Sequence, residues 1–321
     1  MASDITAQKI SMTKLELETS SGPHLSPGQL VWRRFRKHRL AIFGMIGISL
    51  LLMFIFVGSI VVPEIKANQV NLDASLSVPS QQHILGTDDV GRDVFNRIIY
   101  GGQISMVIGV LSVVISVTLG TLIGGIAAYY GKWVDIILMR FTEAMLSIPS
   151  LFLLIVLGKM FGGNVQTITL FGRSFSGSVG IVIVVIGTTS WMYLARIVRA
   201  NVLSLREMDF ISASKALGAS NSRIFFSHLV PNTLGSIIVS STLGLANAVL
   251  TEAYVSFLSL GVQPPTASWG NMLTGAQSFI QRGAWWMWLF PGLFIIFTIL
   301  CVNLMGDGLR DAFDPRSTKH L

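Results

Sequence analysis

The residues able to do chemistry are few in this chain, and they form no familiar reactive set. His24, His38, His83, His228 and His320 are scattered and lack the spacing of paired metal ligands. Cys301 is the single cysteine. It lies in an apolar run, reads as a small packed residue, and excludes a disulfide framework within the chain or a cysteine-based metal site. Gly131-Lys132-Trp133 and Gly158-Lys159-Met160 lack both the earlier glycine and the hydroxyl of a phosphate-binding loop. Neither H-E-x-x-H nor G-x-S-x-G occurs. The sequence therefore nominates no catalytic residue, no metal ligand and no cofactor held by this chain. If ATP powers the protein, another chain binds it.

What remains are isolated charges and one proline inside apolar runs, where an ionisable group is costly. Arg140 and Glu143 stand at i, i+3 and can pair on a helix. Glu252 lies about 18 residues into an apolar run, about 27 Å along a helix. It is a candidate either to line a pathway for a cationic group or to pair within a bundle or at its outer edge. Pro149 is a candidate kink facing a cavity, although spanning helices also tolerate proline elsewhere.

A third candidate is a polar segment, Phe210–Asn232, set between two long apolar runs. Ala213, Ala216 and Leu217 fall at i, i+3, i+4 and form a small-residue face, with Ser212 and Lys215 turned toward water. Gly218 supplies a cap at positive φ. Ser220 caps a second turn carrying Ile224, Phe225 and Leu229, and Pro231 is expected to separate that turn from the next span. The result is an elbow of two short helices on a membrane face. Its shape suits insertion into a groove on a soluble partner; a plain surface loop is the alternative. Attachment to spans at both ends argues against nucleic-acid binding.

These residues must be positioned by a membrane protein. Hydrophobic residues make up 51% of the 321 and charged ones 12%, about half the charge of a soluble domain. The net charge of +7 is read as positive-inside bias. Apolar runs occur at about 40–62, 104–129, 136–161, 179–194, 234–258 and 286–305, each read as one spanning helix. Arg33, Arg34, Arg36, Lys37 and Arg39 hold the first run's start in the cytoplasm. Segment 195–232 is net basic and 63–102 net acidic, which places the first inside and the second outside, with both termini cytoplasmic. The expected organisation is a flexible tail at 1–29, a first span with a long outer segment at 30–102, a core at 103–306 containing the elbow at about 210–231, and a tail at 307–321. The outer segments 63–102 and 259–285 are long enough to dock a partner or cap the outer mouth; packed covering loops are the alternative.

The stretch "SASKALGASNSRIFFSHLVP" resembles the EAA loop of membrane subunits of binding-protein-dependent ABC importers, whose pattern is roughly E-A-A, three residues, G, nine residues, I-x-L-P. Ser212, Ala213, Ser214, Gly218, His228, Val230 and Pro231 occupy those places. Ser212 replaces the glutamate, Ser214 the second alanine and His228 the isoleucine. "LGTDDVGRDVFNRIIYGGQIS", "SFLSLGVQPPTASWGNML" and "NLMGDGLRDAFDPR" narrow the resemblance to the dipeptide/oligopeptide/nickel subfamily and its C-type permease, over residues 30–316.

The resemblance implies an all-α, six-helix type I importer permease in a bacterial cytoplasmic membrane. It further implies a homologous B-type permease beside it, two ATPase subunits holding ATP and magnesium below, and an extracytoplasmic solute-binding protein delivering a peptide above. The elbow would be the coupling helix, with Ser212, Ala213, Ser214, Ala216, Leu217, Gly218, His228 and Pro231 at the ATPase contact. A nickel, glutathione or other small-solute importer shares this architecture. A secondary transporter or channel would want inverted repeats or paired midplane charges, and neither is evident.

Overall fold

The computed structural model describes residues 26–162, 167–170 and 173–314. Helix α1 (Pro27–Lys37) starts at Ser26, whose hydroxyl and backbone exchange hydrogen bonds with Gln29 in a capping box. It occupies the last residues of the expected 1–29 tail; residues 1–25 lie outside the described part. α2 (Arg39–Val61) is the first span, and α3 (Glu64–Asn68) begins the outer segment.

α4 (Val94–Tyr130) is the axis of the molecule. At 37 residues it is about 55 Å long and packs against α2. It starts ten residues before the expected run. The extra turns contain Arg97 and Gln103, both buried. They are tolerated because Gln103 Nε2 donates to Ile55 O at 2.9 Å and Arg97 donates to Asn68 Oδ1 at 3.3 Å.

The third run is not one helix. α5 (Lys132–Ser147) and α6 (Ser150–Gly162) meet at 85° across Ile148 and Pro149, where proline disfavours a helical conformation for its predecessor. A short antiparallel hairpin, β1 (Thr167–Leu170) with β2 (Arg173–Ser176), follows. Among the described residues it is the one sheet in an otherwise helical fold. The fourth run is also a bent pair. α7 (Ser178–Thr189) and α8 (Met192–Arg206) meet at 42°, so the helix reaches well into the basic segment expected as a loop.

α9 (Asp209–Ala216) and α10 (Asn221–Ile224) form the elbow. A π turn, Phe225–Leu229, joins α10 without interruption to α11 (Val230–Phe257). Pro231 therefore does not separate elbow from span. It follows the π turn directly, and the widened turn, with Val230 N bonded to Phe225 O, makes room for the ring. Two outer helices, α12 (Trp269–Met272) and α13 (Ala276–Gln281), precede α14 (Trp286–Phe313). α14 extends past the expected core limit at 306 into the expected tail.

Among the described residues, four helices are long and apolar enough to cross a membrane, and up to six spans result if each bent pair counts as one. The chain is an integral membrane protein. α4 contacts α7, α8 and α11, while α11 and α2 both pack on α14. The α2–α14 seam is close because Gly44 and Gly47 face Cys301 with no room for a Cβ. Arg34 on α1 donates to the Asp314 carbonyl at 3.2 Å and caps the end of α14.

Candidate functional site

The elbow is built around a buried anchor and an exposed tip. Ile211, Ile224 and Leu229 are fully buried and cluster with Val198 and Val202 of α8. α9 ends in a Schellman motif: Ala219 N bonds Ser214 O at 3.1 Å and Gly218 N bonds Lys215 O at 2.9 Å. Gly218 has φ +77°, a conformation that disfavours any side chain. Ser220 then caps α10 through Arg223 N.

This geometry pushes the tip into the open. Ser212, Ala213, Lys215, Ala216 and Gly218 are exposed, Ser214 is half-buried, and Leu217 is 88% exposed. No atom of the described residues lies within 4 Å of where a Cβ at Gly218 would stand. His228 sits behind the tip, its ring 6.4 Å from that of Phe210. The expected small-residue face is thus present and unpartnered, and it is continuous with Leu217.

Polar contacts fasten the elbow to the ends of neighbouring helices. Tyr129 at the end of α4 donates to Asn221 Oδ1 at 2.8 Å, and Lys215 Nζ lies 5.9 Å from the Tyr129 ring centroid. Arg206 donates to the Ala128 carbonyl at 2.9 Å. Arg199 on α8 holds Asp135 on α5 in a bidentate pair at 2.5 and 2.6 Å. Arg140 and Glu143 pair at 3.1 Å on the exposed face of α5.

Glu252 is buried deep in the bundle and lies on no cavity wall described below. Ser105 on α4 donates to Oε2 and Ser256 to Oε1, each at 2.8 Å. Both serines continue outward: Ser105 Oγ accepts from Trp269 N at 3.2 Å and Ser256 Oγ from Val262 N at 3.0 Å. The carboxylate therefore knots α4, α11 and the outer segment 259–285. Of the two readings open in the sequence, the structure places Glu252 in the bundle interior.

The outer segments are packed against each other and against the spans. Trp286 Nε1 donates to Thr87 O and Trp269 Nε1 to Ile98 O, both at 3.0 Å. Asp88 accepts from Val90 N at 3.1 Å, from Arg92 N at 2.8 Å and from Arg92 Nε at 2.6 Å. Arg97 lies 3.7 Å from the same carboxylate.

A cavity of 520 Å³ opens on the middle of the bundle, between α4, α6, α7, α8 and α11. Pro149 lies at the bend that brings Ser150 and Leu154 to its wall. A second cavity of 550 Å³, lined by Glu143, Arg196 and Arg199 among others, shares Tyr193 and Ile197 with the first. Sequence reasoning missed the wall residues Ser116, Tyr193 and Asn247. The available signal was Asn247, an amide in the middle of an apolar run that otherwise reads as small packing residues.

With this geometry in place, likeness to known proteins becomes informative. The family described as "Binding-protein-dependent transport system inner membrane component" matches residues 120–319. The "N-terminal TM domain of oligopeptide transport permease C" matches residues 26–79. A Brucella suis protein described as a peptide permease is 40% identical over 99% of this chain and 99% of its own. The dipeptide transport system permease protein DppC of Bacillus subtilis is 38% identical over 94% of this chain and 89% of its own. Its namesake in Alkalihalophilus pseudofirmus is 39% identical over 91% of each. A family match over most of the chain, and relatives that align nearly end to end, agree with a bundle whose elbow projects from its spans: the chain belongs to the inner membrane components of binding-protein-dependent transport systems, in their oligopeptide permease C-type branch.

Proposed function

We propose that this chain is one of two unlike membrane-spanning subunits of a bacterial ABC importer for short peptides. The other is a homologous B-type permease, and the substrate passes between them. Two ATPase subunits bind ATP and magnesium and seat the elbow in a groove. An extracytoplasmic binding protein delivers the peptide to the outer segments. Both termini and the elbow lie on the cytoplasmic side of the cytoplasmic membrane, in keeping with the basic character of 195–232.

The observation that carries this reading is the exposed tip, Ala213 to Gly218, held on a rigid, capped frame fastened to α4, α8 and α11. A loop whose only task was connection would not require a Schellman cap presenting a bare leucine. A groove on a partner would bury that leucine. The names of the relatives support peptides as the cargo. The test is reconstitution with candidate ATPase, B-type permease and binding-protein subunits in proteoliposomes. Uptake of a radiolabelled dipeptide should require all four components and internal ATP. Uptake by this chain without ATPase subunits would overturn the reading.

A further inference from the structure

We propose that the mid-span cavity is this subunit's wall of the substrate passage, and that it is a charge-blind wall which holds peptides through their amides rather than their side-chain charges. The proposal rests on the importer reading above and specifies its pathway. Every residue lining the 520 Å³ cavity is uncharged. The lining is nevertheless polar, with Ser116, Ser190, Tyr193, Asn247, Thr251 and Tyr254 distributed around it. Its volume falls within the roughly 300–1,000 Å³ of ordinary ligand clefts.

Asn247 shows that this face is not turned to lipid. It is exposed and lies near the middle of the apolar run 234–258. Its amide makes no hydrogen bond with any described residue, although an amide offers two donors and an acceptor. Serine and threonine hydroxyls on such a helix can satisfy themselves on the preceding turn, as Ser241 does on Ile237 O at 2.6 Å. Asparagine here does not, and an unsatisfied amide in hydrocarbon is costly. The lipid-ready faces look different. On α2, Phe43, Ile46, Leu50, Met53 and Val57 form an exposed apolar stripe, and the hydroxyl of Ser49 among them is satisfied on Met45 O at 2.7 Å.

The two cavities adjoin at Tyr193 and Ile197, and the second leads toward Arg196 and the basic end of the bundle. Charge is therefore absent where a substrate would be held at mid-span and present only at the mouth. Peptides differ in side-chain charge but share amide donors and acceptors. A neutral wall rich in hydroxyls and amides can bond the shared groups while placing no fixed charge against the variable ones.

The test uses the assembled importer in proteoliposomes, with Cys301→Ala as background. Asn247→Cys should react with a membrane-impermeant methanethiosulfonate, and Leu50→Cys serves as the unreactive reference. Uptake of Ala-Lys and Ala-Glu is then compared as a ratio. Asn247→Asp and Asn247→Lys should move that ratio in opposite directions, each by about tenfold, as expected for a new charge near the passing side chain. Thr251→Asp and Thr251→Lys repeat the comparison if the first pair does not transport. An unreactive Asn247→Cys, as when a helix of the second permease covers the face, overturns the proposal. So does a ratio that stays within about twofold of the parent in both charge variants. Absence of ATP-dependent dipeptide uptake by the parent complex would instead overturn the importer reading on which the proposal stands.

Discussion

Ser105 and Glu252 are 147 positions apart in the chain and 2.8 Å apart in the bundle. Their hydrogen bond, with that of Ser256, lies where no water competes. Removing the carboxyl leaves buried hydroxyls without their acceptor, which costs about 1–3 kcal/mol per stranded group. Glu252→Leu should lower the thermal midpoint of the detergent-solubilised protein by several degrees. Glu252→Gln, which retains an acceptor, should lower it much less. Equal losses in the two variants would show that packing volume, not the hydrogen-bonded knot, is what matters there.

The elbow makes a sharper distinction possible. Leu217 is exposed, so Leu217→Ser should not change the chain's own stability or its level in the membrane. It should reduce co-purification of the ATPase subunits by about tenfold, as expected for loss of an apolar anchor from an interface. Full co-purification and full binding-protein-stimulated ATP hydrolysis would refute the proposed seat.

Gly218 tests the frame rather than the contact. With φ at +77°, a non-glycine residue costs on the order of 1 kcal/mol. The space that a Cβ would take there is open among the described residues, so Gly218→Leu should still insert in the membrane. Transport should fall, both because the cap is strained and because a leucine projects from the tip. Normal uptake by Gly218→Leu would mean that neither the turn nor the tip is engaged.

The bidentate pair of Arg199 with Asp135 joins α8 to the end of α5 nearest the elbow. Lysine keeps the charge but loses the fork. Arg199→Lys should cost about 1 kcal/mol and raise amide hydrogen exchange at 132–136. Exchange unchanged in that segment would show that the pair is not what holds the junction.

Orientation is open to direct measurement. Ser80 and Ser222 are both exposed. Single cysteines at those positions, on the Cys301→Ala background, can be probed with an impermeant thiol reagent in intact cells. Position 80 should label at once, and position 222 only after the membrane is opened. The reverse pattern would contradict the placement argued from the basic and acidic segments.

The sequence was most legible where one physical effect acted alone. The first span is an unbroken apolar run behind five basic residues, and α2 matches it closely. The Gly218 turn was equally readable, since a glycine closing a helical pattern has few other uses. Legibility failed where tertiary partners reversed a local signal. Arg97 and Gln103 look like loop residues, but side-chain and backbone acceptors elsewhere in the fold satisfy them and let α4 begin early. Pro231 looks like a break, but the π turn before it absorbs the ring. The bend between Thr189 and Met192 is marked by Gly187, Thr188, Thr189 and Ser190, a weak signal outweighed by the apolar residues before it. For Glu252, the choice between pathway and interior depended on two serines, one of them 147 residues away.

The uninterrupted passage from elbow to fifth span has a mechanical result. Asn221 to Phe257 is one rod of 37 residues, about 55 Å long. Its near end carries the frame of the exposed tip, and its far third carries Asn247, Thr251 and Glu252. The helix is continuous between them, and its one π turn and Pro231 lie at the elbow end, so handle and chamber wall are joined through that turn. A tilt of about 10° around one end sweeps the other through roughly 10 Å, far more than the width of a side chain. Glu252, tied to α4 and the outer segment, is placed to act as the pivot, so a large swing at the elbow reaches Asn247, about 7.5 Å from that pivot, as a shift of about 1 Å while the outer face stays anchored.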